Sequence, residues 1–495
     1  MVYVDTILTT YRTCDPMWSH FIVFLLLSVF ISSLQALTKF HNVYLNGKGY
    51  RCSSFSRSFS LNGRISDWLR TEGVEDKDFK VKIDDDGIAM AMGPIKKGDV
   101  MLTLPMGICI DVEKANSRLP TLTVDKLKTG SVGYTAILLL LEKISGEKSK
   151  YYKYISTLPS KVPGLFGWTE EEQEEFCRST TRRVRSQITA IESDYQLLKD
   201  MRLLPTEVDK TSFFWAVGTV KARAVYIQGL GQSVLVPGMD FMKFDPFSTS
   251  EPFSAGAGMF GGKVVKVLAD RSYVAGQEVF ISYGLKSSAE CMEDHGIVPI
   301  LDEQDSSCEL FLAIDETDKF SDDKLNVLEN ELLGAKIQVD LEADKELELD
   351  PLLLQFTRLK SIEGKDAFIL EACFSNTIWD TLREPFSRPN EIKAMSYIME
   401  QCKKSLDDMP SLEDDREIAK GIDRKALFSR LRLQEQAALK GTLAKLQMEL
   451  DKLTKGPDDK EYYQERRLRE LRLDRPLEGN EIVLSGDRNP TDDDY

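Results

Sequence analysis

A tyrosine at the end of a short β-rich run is the first residue in this sequence that could take part in chemistry. The run from Val279 to Tyr283 favours a strand, and Gly284 ends it because glycine readily adopts positive φ. A phenol at that turn can face a pocket while the strand fixes its position. The alternative is a core tyrosine whose hydroxyl is hydrogen-bonded within the fold. Next, Ala289 to His295 predicts one or two helical turns that Gly296 closes.

The charge of the chain narrows the kinds of partner it can bind. The chain has 495 residues and a formal net charge of −16. Its first 66 residues carry six Lys or Arg and two Asp or Glu, a net +4 that leaves −20 for the remainder. A body this acidic argues against nucleic acid, because neutralisation of phosphates by basic residues drives such binding. It favours basic proteins or basic peptide segments instead.

The cysteine pattern predicts neither a metal site nor a disulfide framework. The eight cysteines are scattered without a CxxC pair, and the chain has only three histidines. We therefore expect reduced, mostly buried thiols and no bound metal.

The segment around Tyr283 resembles the closing strand of a SET domain, which carries the pattern E-x-F-I-x-Y-G. Here the pattern runs from Glu278 to Gly284. Over about residues 60 to 475, the chain is similar to the plant chloroplast N-methyltransferases that act on the Rubisco large subunit and on plastid aldolase. The other blocks that carry this resemblance are Ala222-Arg223-Ala224, Val236 to Asp240, Asp366-Ala367-Phe368, Asn376 to Trp379 and Glu461 to Arg467.

The resemblance implies an α+β fold in two domains. A SET domain of small β-sheets with a pseudoknot is expected over residues 65–300, with a helical insertion at about 110–225. An all-α substrate-binding domain is expected over residues 305–475, where segments such as Asp315 to Gly334 show helical periodicity. An acidic tail, residues 476–495, follows.

The reaction that the resemblance implies is transfer of a methyl group from S-adenosylmethionine to the ε-amine of a lysine on another protein. Tyr283 is the implied catalytic residue, with its hydroxyl near the transferring methyl and its ring against the lysine channel. Arg223 is expected to pair with the cofactor's carboxylate, and the alternative is a salt bridge at a helix end. Asp240 is expected at the knot-like crossing, and Gly87 in a turn that cradles the cofactor's methionine end.

Some positions of the implied site depart from the family pattern. Lys243-Phe244 stands where the family has Asn-His, and His295 stands where the chloroplast enzymes have a tyrosine. Lysine only donates hydrogen bonds, whereas asparagine also accepts them, so we expect weaker recognition of adenine. The loss of one buried acceptor costs about 1–3 kcal/mol. Lys243 and Phe244 remain in the predicted cofactor site, and His295 joins Tyr283 in the predicted lysine pocket.

Two functions from different classes fit these residues. The first is a plastid protein-lysine N-methyltransferase, expected to be monomeric, whose substrate is the Rubisco large subunit or a plastid aldolase. The second is a catalytically inactive SET-fold module that binds proteins, because several site residues are replaced. A histone methyltransferase is disfavoured, because the cysteine-rich zinc cluster that follows many histone-directed SET domains is absent from the sequence.

The N-terminal residues predict a targeting segment in two parts. The apolar run from Phe21 to Ile31 is too short to span a bilayer comfortably, and Ala36 suits cleavage, so residues 1–36 are predicted to be a signal peptide. Residues 37–64 combine basic residues and serines without an acidic residue, as transit peptides do. Together they predict delivery to a plastid, with no membrane span left after processing. The alternative is the secretory pathway.

Overall fold

The structure is a computed structural model. It describes residues 64–75, 79–83, 88–179, 184–227, 229–256, 262–284, 286–344, 348–371, 377–421, 423–455 and 460–470. The predicted targeting segment before residue 64, Gly87, Asn376 and the acidic tail at 476–495 lie outside the described residues. Within those ranges, no helix is both long and apolar enough to cross a membrane.

The N-terminal unit, residues 64–300, combines short strands with a run of helices. Short 3₁₀ turns connect several of these elements. In chain order the elements are α1 (Arg64–Thr71), β1 (Val81–Ile83), β2 (Ala89–Ala91), β3 (Val100–Pro105), α2 (Val112–Arg118), α3 (Gly130–Ile144), α4 (Tyr152–Ile155), α5 (Glu170–Ser179), α6 (Val184–Asp200), α7 (Lys210–Arg223), β4 (Val225–Ile227), β5 (Gln232–Val234), β6 (Lys243–Phe244), β7 (Phe253–Gly256), β8 (Lys263–Leu268), β9 (Phe280–Ile281) and α8 (Ser288–His295).

The strands of this unit form small separate sheets. The order β3-β8-β7 makes a three-stranded antiparallel sheet, and β1–β2 and β4–β5 are antiparallel pairs. In contrast, β6 pairs in parallel with β9, so that Lys243 lies beside Phe280 and Phe244 beside Ile281. This parallel pair holds the segment after Asp240 against the closing strand, which is the arrangement that the predicted pseudoknot requires.

The segment between β3 and β4 is helical because its apolar residues cover helix faces. In α3, every residue from Gly133 to Leu140 is buried, and the helix packs against α7. Asp194 of α6 accepts hydrogen bonds from the backbone N–H groups of Lys128 and Thr129, at 2.8 and 2.9 Å. These bonds fix the loop that leads into α3 against α6.

The C-terminal unit, residues 301–470, is mainly helical and is organised around one long helix. That helix, Arg424–Lys455, packs against the two helices before it, Arg388–Asp407 and Leu412–Ile418, and against both strands of the unit. In chain order the elements are β10 (Ser307–Ala313), α9 (Ser321–Asn330), β11 (Lys336–Glu342), α10 (Pro351–Lys360), α11 (Ile378–Thr381), α12 (Arg388–Asp407), α13 (Leu412–Ile418), α14 (Arg424–Lys455) and α15 (Tyr463–Glu470).

The prediction that this unit is all-α is wrong, because β10 and β11 form an antiparallel ribbon. The strands pair over seven residues each. In β11 the buried residues Ile337, Val339 and Leu341 alternate with more exposed ones, and this period of two places one apolar face against α14. The helix predicted over residues 315–334 is reduced to α9, because its ends form the connections to the two strands.

An apolar cluster, called here the junction cluster, joins the two units. The indole of Trp168 and the ring of Phe428 meet edge to face, with centroids 5.4 Å apart. Beside them, Arg424 of α14 forms an ion pair with Glu172 of α5. The cluster therefore fixes α14 against α5 and α8. Its buried members are Leu165, Trp168, Phe176, Val184, Ala289, Met292, Val298, Phe428 and Leu431.

Candidate active site

Tyr283 lies just after β9, where the chain turns. Its side chain is buried, with 6% of its surface exposed. Gly284 follows with φ +97°, a conformation that residues with a side chain rarely adopt. The strand and the turn thus fix the position of the buried phenol.

Three rings from three elements meet at this point and are called here the three-ring cluster. The imidazole of His295 stacks on Phe244, with ring centroids 4.2 Å apart and planes inclined by 20°. The ring of Tyr283 stands edge-on to both, at 5.6 Å from Phe244 and 5.2 Å from His295. The parallel β6–β9 pair brings Phe244 to Tyr283, and α8 brings His295. The structure therefore brings together both residues of the predicted lysine pocket and one of the predicted cofactor site.

The helix that carries His295 has defined ends. Ser287 and Glu290 form a capping box, in which each side chain accepts a hydrogen bond from the other's backbone N–H. At the other end, Gly296 adopts the left-handed conformation with φ +67°. A side chain at Gly296 would also meet the carbonyl oxygen of Pro163 at 2.5 Å. The last turn of α8 is thus pressed against the segment before α5.

Gly164→Ala is expected to destabilise the fold by about 1–3 kcal/mol, the usual cost of overpacking. A Cβ at Gly164 would overlap the backbone carbonyl oxygen of Glu293, so α8 would have to move and carry His295 with it. Thermal unfolding measures the loss. Gly107→Ala is the matched control, because a Cβ there meets no atom within 4 Å. Equal stability of the two variants would contradict the close approach.

A buried charge network that the sequence analysis did not predict surrounds the last turn of α8. Lys221 of α7 forms ion pairs with Glu293 and Asp294, and Lys286 contacts Asp294 at 2.6 Å. Gln187 of α6 donates to Glu293 at 3.0 Å. Burial alone would raise the pKa of Asp294, but the two lysines outweigh it, and the pKa is lowered. The adjacent acids before His295 were the only sign of this network in the sequence.

His295 is a neutral imidazole in this setting. Burial lowers its pKa to about 3, and Lys286 acts in the same direction while Asp294 opposes it. The positive charges of Lys221 and Arg223 lower the pKa of His295 further. The Nε2 atom is inaccessible to solvent and has no hydrogen-bond partner. An uncharged ring with one unsatisfied nitrogen therefore stands beside Tyr283.

Arg223 and Asp240 form a second buried pair close to the three-ring cluster. Each is only 5% exposed. The Nη1 atom of Arg223 donates to Oδ2 of Asp240 at 2.9 Å and to its carbonyl oxygen at 3.1 Å. The same carboxylate accepts from the hydroxyl of Tyr154 at 3.0 Å and from the backbone N–H of Gly238 at 3.1 Å. The salt bridge that the sequence left as an alternative for Arg223 is thus present.

Lys243 stands apart from these buried residues. Its side chain is 36% exposed, and its ammonium contacts Glu278 of the closing-strand pattern at 3.2 Å. Lys243, the lysine that replaces the family's asparagine, is therefore held by an ion pair with Glu278. Gly87, the remaining residue of the predicted cofactor site, lies outside the described residues.

The comparisons with known proteins agree with one another. The family model for Rubisco LSMT substrate-binding matches residues 315–439. The chloroplastic Rubisco large subunit N-methyltransferase of Pisum sativum is 31% identical over 429 residues, which cover 82% of this chain and 85% of that protein. The chloroplastic aldolase-lysine N-methyltransferase of Arabidopsis thaliana is 31% identical over 437 residues, 82% of this chain and 86% of that protein.

The chain belongs to this family of SET-type protein-lysine N-methyltransferases. A solved structure of the LSMT SET domain bound to lysine and AdoHcy matches with a TM-score of 0.70 at 28% identity, over 83% of this chain and 96% of that one. A structure of Rubisco LSMT bound to AdoMet matches with a TM-score of 0.67, over 84% of this chain and 97% of that one. These relatives support the enzyme rather than the inactive binding module, and their names support a plastid.

S-adenosylmethionine is the cofactor of this methyltransferase family, and the residues present fit it. A ring cluster is a suitable wall for a sulfonium, because aromatic faces attract cations. The guanidinium of Arg223 is the partner that a carboxylate prefers. Among the described residues, no group of three or more potential metal ligands occurs.

Proposed function

We propose that this chain methylates the ε-amine of a lysine on a plastid protein of the Rubisco large-subunit or aldolase class. The observation that carries the proposal is the three-ring cluster at the end of β9, where Tyr283 stands edge-on to the stacked rings of Phe244 and His295. The relatives of this family act on those two proteins by name. The acidic body of the chain suits a substrate segment that presents lysine.

The residues contribute mainly by orientation and electrostatics, because methyl transfer to an amine is an in-line displacement. When bound, S-adenosylmethionine supplies a methyl group on a positively charged sulfur. Tyr283 places its hydroxyl at the transferring methyl, and its ring forms one wall of the lysine channel. His295, in edge contact with that ring, belongs to the same pocket, and its stack on Phe244 holds the imidazole in place. The amine must be neutral to react, and the uncharged imidazole of His295 adds no positive charge that would repel it.

The cofactor is held by a second set of residues. Arg223 binds its carboxylate, and Asp240 fixes the guanidinium for that contact. Phe244 and Lys243, which stand where the family has Asn-His, would line the adenine side of the cofactor site, with Lys243 held by Glu278. The resemblance assigns Gly87 to the methionine end of the cofactor. The roles of Arg223 and Asp240 follow from their match to the family pattern, whereas Lys243 and Phe244 are assigned by position although they depart from it.

The C-terminal unit positions the protein substrate. The family match at 315–439 covers most of that unit, from α9 into α14. The junction cluster fixes α14 to α8, the helix that carries His295. A protein docked on the C-terminal unit is thereby held at a constant distance from the lysine pocket. We expect the enzyme to act as a monomer.

Isotope transfer tests the proposal directly. The purified native protein is incubated with S-adenosylmethionine labelled in the methyl group and with either Rubisco holoenzyme or plastid aldolase. Mass spectrometry then locates labelled lysine on the acceptor. Label on one of the two supports the proposal. Binding of S-adenosylhomocysteine without label on either protein would contradict this substrate class.

The targeting segment is expected to be absent from the native protein. The apolar run that ends before Ala36 and the acid-free residues 37–64 predict removal in two steps and delivery to the plastid stroma. N-terminal sequencing of protein isolated from its natural source should place the first residue between about Arg57 and Asp67. A native N-terminus at Met1 would contradict plastid delivery through this segment.

A further inference from the structure

The turn that ends α9 holds a leucine in a backbone conformation that leucine rarely adopts. Leu332 has φ +58°, and among the described residues only Arg202 shares this left-handed conformation without being glycine. Its N–H donates to the carbonyl oxygen of Glu329 at 3.0 Å, and the N–H of Leu333 donates to that of Leu328 at 2.8 Å. These two bonds define a Schellman motif, whose left-handed position is usually occupied by glycine.

The side chain of Leu332 gains almost nothing from the fold in return for this conformation. It is 95% exposed, more than any other large apolar side chain of the described residues. The apolar contact that accompanies a Schellman motif is made by Leu333, which packs on the core of the C-terminal unit. A single exposed leucine is common and needs no explanation. A leucine that is both exposed and strained does need one, because glycine or asparagine adopts this conformation at lower cost.

The charges beside Leu332 indicate what kind of surface it fits. Glu329 and Glu331, just before it, are exposed, and neither forms an ion pair with a described residue. The nearest cation along the chain is Lys336, at the start of β11. An apolar side chain beside two such carboxylates is complementary to an apolar pocket with a basic rim. The acidic body of the chain disfavours a second copy as the partner, because like charges repel.

We propose that Leu332 is the apolar anchor by which the C-terminal unit docks its protein substrate, and that it enters an apolar pocket of that protein rimmed by Lys or Arg. The inference rests on the proposed function and adds to it the docking residue and the chemistry of the docked surface. The family model for Rubisco LSMT substrate-binding covers this turn, since it matches residues 315–439.

The place of the turn in the fold suits an anchor of this kind. It leads directly into β11, and the β10–β11 ribbon packs against α14. The junction cluster joins α14 to α8, the helix that follows Tyr283. A protein held at Leu332 is thereby kept in a fixed relation to the catalytic unit.

Leu332→Gly separates docking from folding, because its two effects have opposite signs. Glycine removes the strain, so the midpoint of thermal unfolding should rise by roughly 2–4 °C. It also removes the anchor, so the Kd for immobilised Rubisco holoenzyme or plastid aldolase should rise about tenfold or more. The kcat at saturating acceptor and the affinity for S-adenosylhomocysteine should stay at their native values. Leu332→Met keeps an apolar side chain and should bind the acceptor as the native protein does.

Arg202→Gly is the matched control. Arg202 is exposed and occupies the same position of a Schellman motif at the end of α6, where the N–H of Leu203 donates to the carbonyl oxygen of Leu198 at 3.0 Å. Glycine relieves the same strain there and removes no apolar anchor. The thermal midpoint should therefore rise while the Kd for the acceptor stays unchanged. A native Kd in Leu332→Gly, or an equal change of Kd in both variants, would overturn the inference.

The basic rim of the partner is tested by charge. Glu329→Gln combined with Glu331→Gln should raise the Kd for the acceptor at low ionic strength and weaken its dependence on salt. Glu147→Gln combined with Glu207→Gln is the control, because it removes two exposed carboxylates of the N-terminal unit and changes the net charge equally. A Kd that falls in the first variant would mean that the docked surface is acidic, and the proposed pocket would be wrong.

The proposed function and this inference fail in distinguishable ways. If the native protein methylates neither acceptor, the proposed function fails and the inference with it. If an acceptor is methylated but Leu332→Gly binds it as the native protein does, only the inference fails. Sedimentation tests a second copy as the occupant: a native dimer that dissociates in Leu332→Gly would assign Leu332 to a contact between copies and overturn its role in docking the substrate.

Discussion

Tyr283→Phe is expected to lower kcat for methyl transfer by about two orders of magnitude or more, while the affinity for S-adenosylhomocysteine changes little. A hydroxyl that acts on the transition state contributes little to binding of the ground state. The ring itself is retained, so the edge contacts with Phe244 and His295 should persist. Single-turnover kinetics with the protein substrate and calorimetry with S-adenosylhomocysteine measure the two quantities separately.

Tyr134→Phe is the matched control for the loss of a buried tyrosine hydroxyl. The hydroxyl of Tyr134 in α3 donates to the carbonyl oxygen of Leu122 at 2.8 Å, within the helical segment between β3 and β4. Its removal should cost about 0.5–1.5 kcal/mol of stability and leave kcat unchanged. If Tyr283→Phe loses stability in the same way and keeps its turnover, Tyr283 is a core tyrosine and not the catalytic residue.

The parts of the fold that the sequence predicted are those that depend on neighbours along the chain. A β-rich run stopped by Gly284 is a local pattern, and it places Tyr283 at a strand end. The capped turns that end at Gly296 are local as well. The place of Arg223 at the end of a helix is also a local feature. Its ion-pair partner Asp240 lies in a different block of the sequence that resembles the family.

The parts that the sequence did not predict depend on contacts between distant residues. The stack of His295 on Phe244 requires the β6–β9 pair, and two residues per strand are too few to show a period. The ion pair of Lys221 with Glu293 joins two helices whose faces are set only by the packed core. Each residue taken alone has the character of an ordinary surface residue of a helix.

The prediction missed the β10–β11 ribbon for a different reason, because the sequence does carry the alternating pattern of a strand there. The alternation of Ile337, Val339 and Leu341 has the period of a strand. The surrounding segments are rich in helix formers and much longer than this run of seven residues, so their composition led to the prediction of a helical domain. The ribbon is stabilised by burial against α14, which is distant in the sequence. The strand propensity of single residues does not reflect such a contact.

Arg223→Met is expected to reduce the free energy of unfolding by about 3–5 kcal/mol, because it leaves the carboxylate of Asp240 buried without its cation. The hydroxyl of Tyr154 and the N–H of Gly238 remain as donors, but neither carries a charge. Thermal or urea unfolding measures the loss. Arg185→Met is the matched control, because the pair of Arg185 with Glu174 is exposed and worth less than about 1 kcal/mol.

Asp240→Asn should cost a similar amount, since it leaves the guanidinium of Arg223 buried without its anion. The double variant Arg223→Met with Asp240→Asn should be more stable than the sum of the single losses predicts, because neither charge remains. Strict additivity would mean that the two side chains do not stabilise each other, in spite of their 2.9 Å contact.

Binding of S-adenosylhomocysteine then separates the structural role of Arg223 from its role toward the cofactor. If Arg223 binds the cofactor's carboxylate, the double variant should regain stability but not affinity for S-adenosylhomocysteine. The methionine introduced at position 223 carries no positive charge to pair with that carboxylate. Asp240→Asn alone should retain more affinity than the double variant, since the guanidinium is still present. If the double variant recovers affinity together with stability, Arg223 serves only as the partner of Asp240, and another cation must hold the carboxylate.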